Sequence, residues 1–428
     1  MITFEIMLLK YLPMAELNTT EVEHYIVIAQ ENRNRTLLSI PNIYLYFKSR
    51  SSNQTSKRYA TLIASFYRFL SSIDRFKRIE PGDYHIHVTN TEIRQWQIFR
   101  QQLRVNRNST HPTSETIFSD ACVVYYFFKW LVEQNIPTGA KIHLKTWVAN
   151  FKDRRLLSYI AKKAMLVLNT DPIRILDKQA RQKKALHLIK HSEIETLLSV
   201  YPDKVYAVLF NFALATAMRP MELVQFPYSG KGKNRHIMPY SEMDKKAKSF
   251  KYEIYGKGNK YRDIIIPSYA LELLDNEYIK TDYPARAKLY RERYGHKCPL
   301  SVLFLTSQGE PVTPSMIASA TNYAKKLAVA KDPNFSAHNI FYHARKWWPT
   351  MMMIQHHKGE QILTKDAEVM HIALTQVIMN QMGHVDESTT YNHYLVLGRY
   401  LVMANRGITH ETIHEDALNI HDALKMYG

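Results

Sequence analysis

Cysteine is nearly absent from this chain: Cys122 and Cys298 are the only two in 428 residues, and they form no CxxC pair. That excludes a cysteine-rich zinc finger and a disulfide framework, and it fits a reducing compartment. Long apolar runs are missing too, so no segment reaches the length of a membrane span. The opening MITFEIMLLKYLPMAEL has no basic flank before its short apolar stretch and carries Glu5 inside it, which argues against a secretory signal. There is no internal repeat and no low-complexity tract. The expectation is a soluble, cytoplasmic protein with no membrane partner. Acidic residues are also short: 39 Asp and Glu face 57 Lys and Arg, a formal charge of +18. A surplus this large points to a polyanionic partner, with nucleic acid ahead of an anionic membrane.

Hydrophobic residues make up 46% of the chain, enough for packed cores, and 428 residues are too many for one core. The first 49 residues mix short apolar and polar runs and read as an arm, closed by the linker-like KSRSSNQTSKR. From Thr55, Tyr59, Leu62, Ile63, Phe66, Phe69 and Leu70 recur at helical spacing. Ile93, Trp96 and Leu103 mark a second helix, and residues 114–133 a third, so 50–170 is expected to be a compact helical domain. Its aromatics read as core. Residues 171–191 crowd Arg174, Lys178, Arg181, Lys183 and Lys184 into a basic linker able to lie along a phosphate backbone. Ser192 and Glu195 suggest a capping box opening the next helix. A largely apolar helix is expected over 204–226, interrupted in sequence by Arg219, Pro220 and Glu222. A β-hairpin follows at 250–267, with Lys257 in its turn. The fold class is mostly α with a small β-hairpin, in two domains, the second over 192–408. The tail, 409–428, carries a narrow apolar stripe.

The stretch MGHVDESTTYNHY, 382–394, places an imidazole, His384, ten residues before a phenol, Tyr394. Arg219 and Glu222, Lys257, and Arg345 complete a dispersed set in the second half of the chain. Such a set suits phosphodiester cleavage without a metal or nucleotide. A phenol can attack phosphorus, two guanidiniums neutralise the non-bridging oxygens, an imidazole orients or deprotonates the nucleophile, and a proton must reach the leaving oxygen. The pair His356–His357 reads as solvent-facing rather than as a metal site, since no spaced partner is evident in the sequence.

Four segments resemble the boxes of the tyrosine recombinase (phage integrase) family. TAMRPMEL, 216–223, resembles the first arginine box with Arg219. YGKGNKYRDIIIP, 255–267, resembles the lysine hairpin with Lys257. YHARKWWPT, 342–350, resembles the second arginine box with Arg345. MGHVDESTTYNHYL, 382–395, resembles the closing box with His384 and Tyr394. The order and spacing of the four are specific, and the resemblance covers residues 50–410. It implies that Arg219 and Arg345 clamp the scissile phosphate. Lys257 acts as general acid, His384 hydrogen-bonds the phosphate, Tyr394 forms a 3′-phosphotyrosine, and Glu222 supports Arg219. It further implies a clamp on double-stranded DNA, a helical core-binding domain at 50–170, a catalytic domain at 192–408, and no cofactor. A homotetramer on two DNA sites, dimeric or monomeric without DNA, and a tail exchanged between subunits are also implied, as is a bacterial, phage or mobile-element origin. The family's histidine three places before the second arginine is Tyr342 here. Tyr391 is the rival to Tyr394. An inactive DNA-binding protein of the same fold and a type IB topoisomerase are the alternative functions.

Overall fold

The computed structural model describes residues 2–12, 21–31, 34–146, 166–175, 188–256, 260–384 and 386–405. They fall in two compact units, Met1–Lys184 and Ala185–Gly428. Both are mostly helical with small antiparallel sheets. Among the described residues, no helix is long and apolar enough to cross a membrane.

The first unit opens with β1 (Ile2–Tyr11), β2 (Val22–Glu31) and β3 (Asn34–Leu37), a sheet in the order β1-β2-β3. Helices α1 (Ser39–Ser49), α2 (Asn53–Ser71), α3 (Tyr84–His87), α4 (Asn90–Asn106) and α5 (Ser114–Glu133) follow, then the short pair β4 (Leu144–Thr146) and β5 (Leu166–Leu168). The expected separate arm is therefore corrected. Phe4, Val27, Ala29, Tyr44 and Leu45 belong to the same core as Phe66, Trp96 and Phe128. Asn42 fastens α1 to the sheet by accepting from the Val27 N–H and donating to its carbonyl, at 2.7 and 2.8 Å. Inside the helical layer Asp120 receives Arg58 and Arg100, each at 2.9 Å, so a buried carboxylate is doubly paired.

The expected linker is also shorter at both ends. Ile173 is fully buried in the first core and its carbonyl accepts from Gln97 at 2.7 Å, while Ile189 is fully buried in the second. Lys178, Arg181, Lys183 and Lys184 lie outside the described residues.

The second unit runs through α6 (His191–Ser199), α7 (Lys204–Thr216), α8 (Pro220–Val224), β6 (Ser249–Gly256), β7 (Lys260–Pro267), α9 (Ser268–Leu274), α10 (Tyr283–Tyr294), α11 (Pro314–Lys331), α12 (Tyr342–His356), α13 (Ile372–Met382) and α14 (Glu387–Asn405). α6 starts one residue earlier than Ser192. Glu193, not Glu195, closes its first turn by accepting the Lys190 N–H at 2.8 Å, and its other oxygen accepts the Ser336 N–H at 2.8 Å. α7, apolar all round, is the buried axis that such a sequence calls for. Val205, Leu209, Phe210 and Leu214 are buried along it, and α12 packs against it. β6 and β7 form the expected hairpin, with Ile254 opposite Arg262 and Tyr252 opposite Ile264.

Candidate active site

Arg219 owes its position to a broken helix. α7 ends at Thr216, Ala217 turns left-handed at φ 54°, and Arg219 is extended at φ −74°, ψ 154°. Proline disfavours helical geometry in the residue before it, so the Arg-Pro pair itself sets the break. The single helix expected over 204–226 is thus two, and the kink between them aims the arginine. Its guanidinium donates to Glu222 Oε1 at 2.8 Å and to the Gly383 carbonyl at 3.3 Å.

Glu222 is almost fully buried and carries more than Arg219. It accepts the Arg219 backbone N–H at 2.8 Å and both terminal nitrogens of Arg262, each at 2.8 Å. Arg345 Nη1 stands 3.9 Å away. Burial opposes ionisation of this carboxyl. The hydrogen bonds and charge of Arg262, together with Arg219, nevertheless hold it below its ordinary value.

Arg262 belongs to the same cluster, although the boxes quoted above do not single it out. It shares a strand face with Ile264 and Ile266, which are 1% and 0% exposed. A charge on the buried face of a strand needs a partner, and that was the signal available. Gly383 makes room for it: the residue is left-handed at φ 62°, and a Cβ there would lie 3.1 Å from the Arg262 guanidinium.

Arg345, on the first turn of α12, is 1% exposed. Its terminal nitrogens donate to the carbonyls of Ala217 and Met382, tying the kink after α7 to the end of α13. Its Nε is buried with no hydrogen-bond partner among the described residues. Burial and then the neighbouring Arg219 lower it to about 10. Three guanidiniums thus surround one carboxylate, leaving a formal surplus of two positive charges in a mostly buried space. Such an excess calls for an anion.

His384 follows the left-handed Gly383 and is half-buried. Its Nδ1 meets Thr390 Oγ1 at 3.1 Å, and its ring stacks on that of Tyr394 at 6.1 Å and 10°. Burial, then Arg345 and Arg219, lower it to about 4, so the imidazole is neutral at physiological pH. Tyr394, on α14, is 2% exposed. Burial pushes its phenol up, against the pull of Arg345 and Arg219, and Tyr342 adds to the rise. Tyr342 itself begins α12 and is 42% exposed. Arg219, Glu222, Arg345, His384, Tyr394 and Tyr342 therefore meet within the second unit.

The rest of the expected set is not part of this described cluster. Lys257 lies outside the described residues; the strands before and after it pair as far as Gly256 opposite Lys260. Arg174 is exposed, with its guanidinium over the Phe118 ring at 5.3 Å. Tyr391 is otherwise engaged. Its hydroxyl reaches the carbonyls of Ala367 and Val369 at 2.9 and 3.1 Å, and His357 Nε2 at 3.1 Å. The expectation that His356 and His357 both face solvent is corrected as well. His356 is exposed, His357 is buried, and His371 stands beside them.

No family model matches this chain, and no curated protein does. Solved structures similar to it include the XerH site-specific recombinase bound to a palindromic difH substrate in a post-cleavage complex. That likeness has 13% identity and a TM-score of 0.45, covering 88% of this chain and 80% of that one. A lambda integrase (75–356) dimer bound to a COC′ core site gives 13% identity and a TM-score of 0.45, over 84% and 95% of the two chains. The Tn1549 transposon integrase (82–397), in complex with circular intermediate DNA, gives 14% and 0.44, over 83% and 94%.

Proposed function

We propose that this protein is a tyrosine recombinase, which cuts and rejoins DNA strands through a 3′-phosphotyrosine. One observation carries the reading. Arg219, Arg345, His384 and Tyr394, drawn from three of the four boxes, assemble around a surplus of positive charge beside a phenol. The scissile phosphate enters that charge and takes the free Nε–H of Arg345 and donors of Arg219. The Tyr394 oxygen attacks phosphorus, and the P–O bond to the 5′-oxygen breaks. Lys257 protonates the departing oxygen, and the phenolic proton leaves toward the neutral His384. A 5′-hydroxyl from a second strand reverses these steps. The phosphotyrosine bond keeps the energy of the bond it replaces, so rejoining needs no nucleotide.

Glu222 holds the first arginine in place, and Tyr342 donates a hydrogen bond to phosphate where the family has histidine. The helical first unit and the linker residues Arg174, Lys178, Arg181, Lys183 and Lys184 add phosphate contacts, with four such chains on two DNA sites. The burial of Tyr394 favours a second reading, a DNA-binding protein without cleavage, unless α14 draws back when DNA binds. One experiment separates the two. The full chain is incubated with a library of nicked duplexes, and protein–DNA adducts that survive SDS are collected. An adduct lost in Tyr394→Phe and kept in Tyr391→Phe supports cleavage. Retention of duplex DNA with no adduct from either protein supports the second reading.

A further inference from the structure

Away from the cluster of arginines, three histidines from two helix ends converge. His356 is the last residue of α12, His357 caps it, and His371 immediately precedes α13. One ring nitrogen from each lies within 4.8 Å of the others. The ring centroids are 5.0 Å apart for His356 and His357, 4.6 Å for His356 and His371, and 5.4 Å for His357 and His371. Residues 358–370 separate the pair from the third, and left-handed Lys358 and Gly359 begin the turn that brings them together.

The hydrogen bonds around His357 fix its tautomer. Carbonyl oxygens only accept, so the Tyr391 O–H donates to Ala367 or Val369, and the Tyr391 oxygen then accepts from His357 Nε2. The proton is on Nε2, which leaves Nδ1 with a free lone pair. A metal-ligating histidine is oriented in this way, its far N–H held by an outer partner. His356 and His371 are exposed, so their rings have room to turn. Nitrogens on a tetrahedral zinc at about 2.0–2.1 Å lie roughly 3.4 Å apart, so modest rotations of the two exposed rings close the gap.

We propose that His356, His357 and His371 bind one divalent ion of the zinc, cobalt or nickel class, with a fourth position open to water. Three imidazoles and no carboxylate favour these metals over magnesium or calcium. The ion braces the loop between α12 and α13 against α14. That loop already receives α14 through Arg399, which donates to the carbonyls of Ile362 and Thr364, both at 2.7 Å, and through Tyr391. Tyr394 is carried by the same helix, so the metal steadies the helix that bears the phenol. The site stands whether or not the protein cleaves DNA.

The test uses the full chain without DNA, stripped with chelator and titrated with Co(II), then with Zn(II) or Mg(II). One cobalt per chain is expected, with the visible bands of a four- or five-coordinate ion, displaced by zinc and not by magnesium. His356→Ala and His371→Ala, both at exposed positions, lower affinity at least tenfold, and Tyr391→Phe lowers it about tenfold. Melting of each variant without metal shows whether it is folded. The proposal is overturned if the chain takes up no cobalt at micromolar concentrations. It is equally overturned if magnesium displaces the cobalt, or if folded His356→Ala and His371→Ala bind as the parent does, since the other histidines among the chain's 19 would then supply the ligands.

Discussion

Replacing Glu222 with glutamine tests the reasoning about the arginine cluster most directly. The carboxylate takes four hydrogen bonds, two from Arg219 and two from Arg262, in a position 3% exposed. Glutamine keeps the shape, loses the charge, and turns one acceptor into an NH2 facing guanidinium protons. Removing one partner of a buried pair costs about 3–5 kcal/mol, because the remaining charges stay desolvated. For a unit of this size that corresponds to a drop of roughly 6–20 °C in Tm. Thermal melting of the DNA-free protein reads it. The pH dependence supplies a second check. The folded-state value of Glu222 lies below its ordinary 4.5, so its contribution is full above 4.5 and is lost as pH falls through the folded value. The gap between parent and Glu222→Gln should therefore be widest near neutrality and narrow in acid. A variant that melts within about 2 °C of the parent at pH 7 would refute the claim that this carboxylate organises the site.

Other outcomes follow from the same geometry. His384 and His357 are each lowered to about 4, so both are neutral when folded and protonated when unfolded between pH 4 and 6.5. The unfolded chain binds more protons there, so stability rises with pH across that window, and His384→Gln flattens the slope. NMR should show no His384 titration between pH 5 and 8. Arg345→Lys keeps a charge but cannot span the Ala217 and Met382 carbonyls, and should cut adduct formation on nicked DNA by about 10²–10³. Gly383→Ala forces a left-handed alanine against the Arg262 guanidinium at 3.1 Å, and both thermal stability and adduct yield should fall. Tyr391→Phe removes the one proton that the Ala367 and Val369 carbonyls compete for, and the oxygen that accepts from His357 Nε2, and should cost about 1–3 kcal/mol in denaturant unfolding.

The sequence was informative where a single period governed. α5 ends where the spacing of its apolar residues ends, and the hairpin of β6 and β7 follows from alternation on either side of a glycine turn. β1 was obscured because it is apolar on both faces. Phe4 is buried, while Met7 and Leu9 are 43% and 37% exposed, so the period of two is blurred. Arg219, Arg345, His384 and Tyr394 could be picked out as a set, because costly charges in apolar surroundings and the order of four boxes pointed the same way. Arg262 and His371 could not, since each acquires its meaning from a residue distant in sequence: Glu222 for one, the pair at the end of α12 for the other.

The kink at Ala217 bears on any attempt to toughen this protein. An alanine at φ 54° is a natural target for glycine, and the exchange relieves about 1 kcal/mol of steric cost. The same exchange loosens the hinge whose carbonyl steadies Arg345 and whose far side directs Arg219. Sturdiness gained there comes at the expense of aim, and a screen selecting for heat tolerance alone should enrich chains that no longer grip phosphate.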